Sequence, residues 1–283
     1  MKKYIFIVLV FLAQSLYAET GFQISYGPYL QSMGENEVTI MWVTNKKSVS
    51  WVEYAPKNNQ VFYAESRPRI YQTSFGKKTI DTLHKVKITG LQKGTTYVYR
   101  ICSQEVLNQE ERFVQYGKVA STDVFQKAPL TFTTLDEAKS SATFSVVNDI
   151  HGRNSVLNNL LKDVKKEADF VIFNGDMLSD IRSENHIFDG FMNEAVHSFA
   201  SEIPIFYGRG NHENRGQYST EFINYFPTNT GMPYYTFRQG PVYFIVLDSG
   251  EDKPDDDIAY FGINNFEPYM NQEAIWLKEI VSS

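Results

Sequence analysis

Cysteine is nearly absent: the 283 residues contain one, Cys102, so no internal disulfide can form and a disulfide-stapled scaffold is excluded. No uninterrupted apolar run approaches the roughly 20 residues needed to cross a bilayer, so no membrane span is expected. The 17 glycines follow no period, which excludes a collagen-like chain. Basic charge is in deficit, with 27 Lys and Arg against 33 Asp and Glu and a net charge of −6. A mildly acidic surface gives no non-specific grip on nucleic acid. Aromatic side chains, by contrast, are plentiful. They form 15% of the chain within a hydrophobic fraction of 42%, and only 21% is charged, which describes an ordered globular protein rather than a disordered one or a coiled coil. At about 150 residues per domain, the length allows two.

Lys2 and Lys3 precede an apolar run from Tyr4 to Leu12, and Ala18 stands before the polar Glu19. That is the pattern of a secretory signal peptide over residues 1–18, so the chain is expected to be exported, to a periplasm, a cell surface or the medium. Leu16 occupies a position where a small residue is preferred, which defines the cut less sharply than the leader. Cys102, beside the apolar run 97–101, is expected to be buried and inert.

A polar, aperiodic segment, residues 135–141 (LDEAKSS), divides the remainder. Before it lie short alternating strands: Val38, Ile40 and Trp42 alternate with polar or small neighbours, and Val52 with Tyr54 and Val86 with Ile88 repeat the pattern. The stretch Leu91-Gln-Lys-Gly-Thr-Thr-Tyr97 sets a tyrosine at a strand start just past a glycine turn, the arrangement of a tyrosine corner. With Trp42 early and a closing strand at 130–134 (LTFTT), residues 22–134 resemble a fibronectin type III domain, which implies an antiparallel β-sandwich with Trp42 and Tyr97 in its core. His84 is expected to be structural, at a surface or edge.

After the divide the pattern alternates. Strands are expected at 143–148, 170–174 and 203–207, with helices between them on the spacing of Leu157, Leu160, Leu161 and Val164 and of Phe188, Phe191, Met192, Ala195, Val196 and Phe199. A hairpin across Gln239-Gly240-Pro241 and a last helix at 272–281 follow. Strand–helix alternation implies right-handed crossovers and a largely parallel sheet covered by helices, an α/β layered domain over 142–283.

Three successive strands end in groups that carry chemistry: Asp149-Ile-His151, Asn174-Gly-Asp176 and Gly208-Arg-Gly-Asn-His-Glu213. Ligands bind outside the carboxyl ends of such strands. A carboxylate and an imidazole two residues apart lie on the same side of an extended segment and can grip one cation together. Asp176 can bridge two cations, and Asn211 adds a neutral amide oxygen. Asp-x-His alone is weak, with about 0.25 matches expected by chance, whereas Gly-Asn-His-acid is expected about twice in a thousand chains of this composition.

The two motifs in order, with Gly-Asp between them, resemble the calcineurin-like metallophosphoesterases. Joined to the fibronectin-like front half they resemble a purple-acid-phosphatase-like architecture, and the two resemblances cover nearly the whole chain after the leader. The resemblance implies a hydrolase of small phosphate esters using two metal ions, iron, manganese or zinc, with a shared hydroxide as nucleophile. It implies that Asp149 and His151 hold one metal, that Asp176 bridges both and that Asn211 holds the second. His212 would face the substrate as the catalytic residue rather than act as a ligand. Arg209, between two glycines, is a candidate for binding phosphate. Asp180 and Arg182 have spacings that permit them to orient His212 and to bind phosphate, and Asp248 ends a strand on the same edge.

Two departures qualify the expectation. The position three after the bridging Asp, a tyrosine in purple acid phosphatases, is Ser179, so a purple ferric site is not expected. The family completes its site with a further His and a Gly-His-x-His motif, yet no His follows His212. Four ligands shared by two cations leave each open to water, so a chain ending inside a helix as a C-terminally shortened domain is expected to bind metal weakly and to be poorly active. A non-catalytic surface binding or adhesion protein, with a remnant phosphoesterase domain, is the rival of a different class. A phosphodiesterase or nucleotidase is the alternative among enzymes.

Overall fold

The computed structural model describes residues 21–164 and 168–282. The expected leader, 1–18, lies outside them. The front half is an antiparallel sandwich built on one long strand. It comprises β1 (Ile24–Gln31), β2 (Glu37–Pro56), β3 (Arg69–Tyr71), a small hairpin of β4 (Thr73–Ser74) and β5 (Lys77–Lys78), β6 (Asp81–Thr89), β7 (Thr96–Glu110), β8 (Phe113–Ser121) and β9 (Leu130–Thr133). The first part of β2 pairs with β6 from Glu37 opposite Thr89 to Val43 opposite Leu83, and its second part pairs with β7 from Ser48 opposite Glu105 to Pro56 opposite Tyr97. One strand therefore serves both layers. The Tyr97 hydroxyl accepts the Gln92 backbone N–H at 2.9 Å, closing the tyrosine corner that the Leu91–Tyr97 spacing suggests.

Val38, Ile40 and Trp42 fill the sandwich interior, as alternation requires, but Met41 and Val43, on the opposite face of the strand, are buried too. They pack with Tyr29 against the back half, in one apolar cluster with Phe188, Phe191 and Tyr225. Tyr26 stacks on Phe188 at 4.2 Å, and the Tyr29 and Tyr99 hydroxyls donate to the carbonyls of Tyr225 and Ser201. The front domain is thus fused to the second domain through a shared core. His84 lies on β6, an edge strand paired only with β2 among the described residues, but not at the surface: it is 1% exposed. The Thr44 and Ser48 hydroxyls both meet its Nε2 within the sandwich, at 2.9 and 3.0 Å, so that nitrogen is hydrogen-bonded despite its burial. Cys102 is buried, and burial raises its thiol to about 12, which keeps it inert.

In the back half β10 (Phe144–Val147), β11 (Phe170–Asn174) and β12 (Ile205–Gly208) form a parallel sheet in that order. Val171, Phe173 and Tyr207 face a helical layer, whereas Phe170 and Phe206 face the antiparallel hairpin of β13 (Tyr235–Gln239) and β14 (Val242–Val246). Rings knit that second face, with Phe206 stacked on Phe237 at 3.6 Å and Phe237 on Phe244 at 4.6 Å. The first helix, Asn154–Leu160, is shorter than its apolar spacing suggests, and Leu160 is exposed. The second is helical throughout 184–200 but includes two π-turns, Phe188–Met192 and Val196–Ala200. The last helix runs Phe266–Ser282. No helix among the described residues is long and apolar enough to cross a membrane.

Candidate metal centre

Parallel neighbours end on one edge, where side chains remote in sequence meet. The loops after β10 and β11 are zipped together there. Asp149 N–H donates to the Gly175 carbonyl at 3.2 Å, His151 N–H to that of Asp176 at 3.0 Å, and Gly152 N–H to that of Met177 at 2.8 Å. In this arrangement Asp149, His151 and Asp176 have φ of 56°, 50° and 56°, a left-handed conformation that costs a non-glycine residue roughly 1–2 kcal/mol. Loop contacts, not local preference, impose it. Glycines let the β12 loop close on the other two: a Cβ on Gly175 would lie 2.7 Å from Gly210 Cα, and one on Gly210 would collide with the Asp176 carboxylate.

Within this cradle, one donor atom each from His151, Asp176 and His212 lies within 4.8 Å of the other two. The His151 and His212 rings meet edge to face at 4.7 Å. His151 Nδ1 lies 3.3 Å from the Ser179 hydroxyl and its Nε2 3.7 Å from Asp149 Oδ1. Asp149 stands at the rim, 63% exposed, and accepts the Asn148 amide at 2.5 Å. Asp176 Oδ1 accepts the His212 backbone N–H at 3.2 Å. The Asn211 amide lies between Asp176 and Arg215, one of its two polar atoms 3.3 Å from Asp176 Oδ2 and the other 2.7 Å from Arg215 Nη2. Asp149, His151, Asp176, Asn211 and His212 therefore share one edge, and His212 stands as near His151 and Asp176 as a ligand would. Carboxylate and imidazole donors this close need only side-chain rotation to reach bonds of about 2.0–2.2 Å to a zinc-sized cation. The donor set fits iron, manganese or zinc.

His212 is oriented by backbone. Its Nδ1 lies 2.8 Å from the Ser179 carbonyl, which can only accept, so the proton sits on Nδ1 and Nε2 is the basic nitrogen of the neutral ring. Asp180 does not take that part. It pairs with Arg182 at 2.8 Å and lies 3.8 Å from His186. Arg209 turns from the triad to the fully buried Asp248, donating through Nε at 2.9 Å and Nη2 at 2.5 Å, while the Tyr269 hydroxyl donates to the same oxygen at 2.6 Å. The arginine beside His212 is instead Arg215, 3.3 Å from Nε2 and braced by Glu251 at 2.9 and 3.2 Å. A cleft of about 690 Å³ opens along Arg209, Arg215, Tyr260 and Tyr269.

Sequence reasoning assigned no role to Glu213, which is 1% exposed beneath the site. Its Oε2 accepts the N–H of Asp176 and Gly210, both at 2.9 Å. Its Oε1 accepts Met177 N–H and the Tyr207 hydroxyl, both at 2.9 Å, and Leu178 N–H at 3.4 Å. Burial pushes its carboxyl up from the usual range, and the backbone donors oppose the shift. Its place in Gly-Asn-His-acid was visible, but its burial depends on the fold of three loops.

Two family models match. One described as the purple acid phosphatase N-terminal domain matches residues 26–134, and one described as calcineurin-like phosphoesterase matches 142–282. No curated protein matches. Among solved structures the chain is similar to a purple acid phosphatase isolated from yellow lupin (Lupinus luteus) seeds, with a TM-score of 0.56 and 15% identity over 83% of this chain and 47% of that one. The chain thus spans less than half the length of that relative. A computationally redesigned β-sandwich protein also matches, at 18% identity over 40% of this chain and 93% of its own, with a TM-score of 0.24.

Proposed function

The chain belongs to the calcineurin-like phosphoesterases fronted by a purple acid phosphatase N-terminal domain, and on that premise we propose that it is an exported, metal-dependent hydrolase of small phosphate esters with a two-metal centre. The observation that carries this reading is the convergence of His151, Asp176 and His212 at the carboxyl edge of the parallel sheet. Asp149 and His151 would hold one cation, Asp176 both and Asn211 the second. When bound, iron, manganese or zinc would stabilise negative charge on the phosphoryl oxygens and lower the pKa of water. His212 faces the substrate in this reading: the Ser179 carbonyl fixes its Nδ1 proton, so Nε2 is the nitrogen that exchanges a proton with the leaving oxygen. Arg215 lies against that ring, whereas Arg209 is committed to Asp248.

Hydrolysis of 4-nitrophenyl phosphate with and without Mn²⁺ tests the reading, which expects turnover that a chelator abolishes. Turnover of the corresponding diester alone would move the assignment to a phosphodiesterase. Two bound metals with no ester hydrolysed would favour the surface binding protein. Export is tested separately, by whether the full chain appears outside the cytoplasm with residues 1–18 removed.

A further inference from the structure

We propose that Glu213 is a positioning residue that sets the geometry of the candidate metal centre from beneath, an inference that rests on the metal reading of that site. A carboxylate offers about four lone-pair positions, and Glu213 meets five neutral donors: the N–H groups of Asp176, Met177, Leu178 and Gly210 and the hydroxyl of Tyr207. Three of these N–H groups are consecutive. They converge on one point because the chain turns sharply at Asp176, whose φ of 56° is unfavourable for a side chain other than glycine. An acceptor at that point therefore selects the conformation that raises the Asp176 carboxylate toward His151.

Glu213 itself lies on the short turn His212–Asn214, directly after Asn211. One carboxylate thus ties the loop carrying Asn211 and His212 to the loop carrying Asp176, and Tyr207 anchors it to the sheet. Glu213 is not among the donor atoms that gather at His151, Asp176 and His212, so its action on that cluster runs through the backbone it holds. Outer partners of this kind typically change metal affinity by about 10–100-fold when altered.

Glu213→Gln keeps the shape but turns one acceptor into a donor facing backbone N–H groups. Mn²⁺ affinity by calorimetry, together with amide hydrogen exchange of residues 176–178, is compared among the wild-type chain, Glu213→Gln, Tyr207→Phe and the control Tyr29→Phe. The control removes a buried hydroxyl that donates at 3.0 Å to the Tyr225 carbonyl, in the same apolar cluster as Tyr207. Glu213→Gln is expected to lose about 10–100-fold in Mn²⁺ affinity and the exchange protection of 176–178. Tyr207→Phe should show a smaller loss of both, and Tyr29→Phe should keep both even where its melting temperature falls. Unchanged affinity and protection in Glu213→Gln, or equal losses in Tyr29→Phe and Tyr207→Phe, would overturn the proposal. If Glu213→Gln does not fold, the two tyrosine variants decide it. A wild-type chain that binds no Mn²⁺ would sink the metal reading alone, and the exchange of 176–178 would still decide whether Glu213 holds that loop.

Discussion

Acidification from pH 7 to pH 5 should weaken the fold through His84. This imidazole is 1% exposed, lies 5.3 Å from the Trp42 ring, and is hydrogen-bonded to Thr44 at 2.9 Å and Ser48 at 3.0 Å. Burial alone lowers its pKa from 6.5 to about 3. Between those values the unfolded chain binds the extra proton and the folded one does not, so stability rises with pH through the window and is lost as pH falls. One pKa unit corresponds to about 1.4 kcal/mol, and the descent to pH 5 crosses about 1.5 units below the unfolded value, giving a loss of about 2 kcal/mol. Urea unfolding of the wild type and of His84→Gln at both pH values isolates this contribution, because other titrating groups act alike in the two proteins. The wild type should lose about 2 kcal/mol more than the variant between pH 7 and pH 5. Equal losses would refute a neutral, buried His84.

Asp248→Asn should lower stability by about 3–5 kcal/mol in urea unfolding, since it leaves the largely buried Arg209 guanidinium without its counter-charge; a loss under about 1 kcal/mol would place that pair in effectively aqueous surroundings. Tyr97→Phe should cost about 1 kcal/mol by the same assay, through the lost acceptor for Gln92 N–H. Asp176→Asn should be the most damaging single change to both metal content and 4-nitrophenyl phosphate turnover. His212→Ala should keep the metal and lower kcat by about 10²–10⁴-fold; metal loss equal to that of Asp176→Asn would make His212 a ligand.

The alternation of Val38, Ile40 and Trp42 exposes one buried face of β2 to a reader of the sequence. It cannot show that Met41 and Val43 are buried by another domain, because period-two patterning says nothing about what covers the second face. Asp149, His151, Asp176, Asn211 and His212 were legible because they follow strands that topology aligns on one edge. Ser179 against His151, and Glu213 beneath Asp176, were not, since both arise where separate loops meet. Arg209 and Arg215 occupy the same loop, and only the position of Asp248 and Glu251 decides which guanidinium faces His212. The apolar spacing of the helix at 184–200 was readable, whereas its π-turns leave no comparable mark.

Anomalous diffraction from crystals of the chain grown with Mn²⁺ tests the account most directly. A peak within ligand distance of both His151 and Asp176, absent from Asp176→Asn crystals, is the predicted result. A peak only elsewhere, or none at Mn²⁺ concentrations that support hydrolysis, would contradict the assignment of this sheet edge as the metal centre.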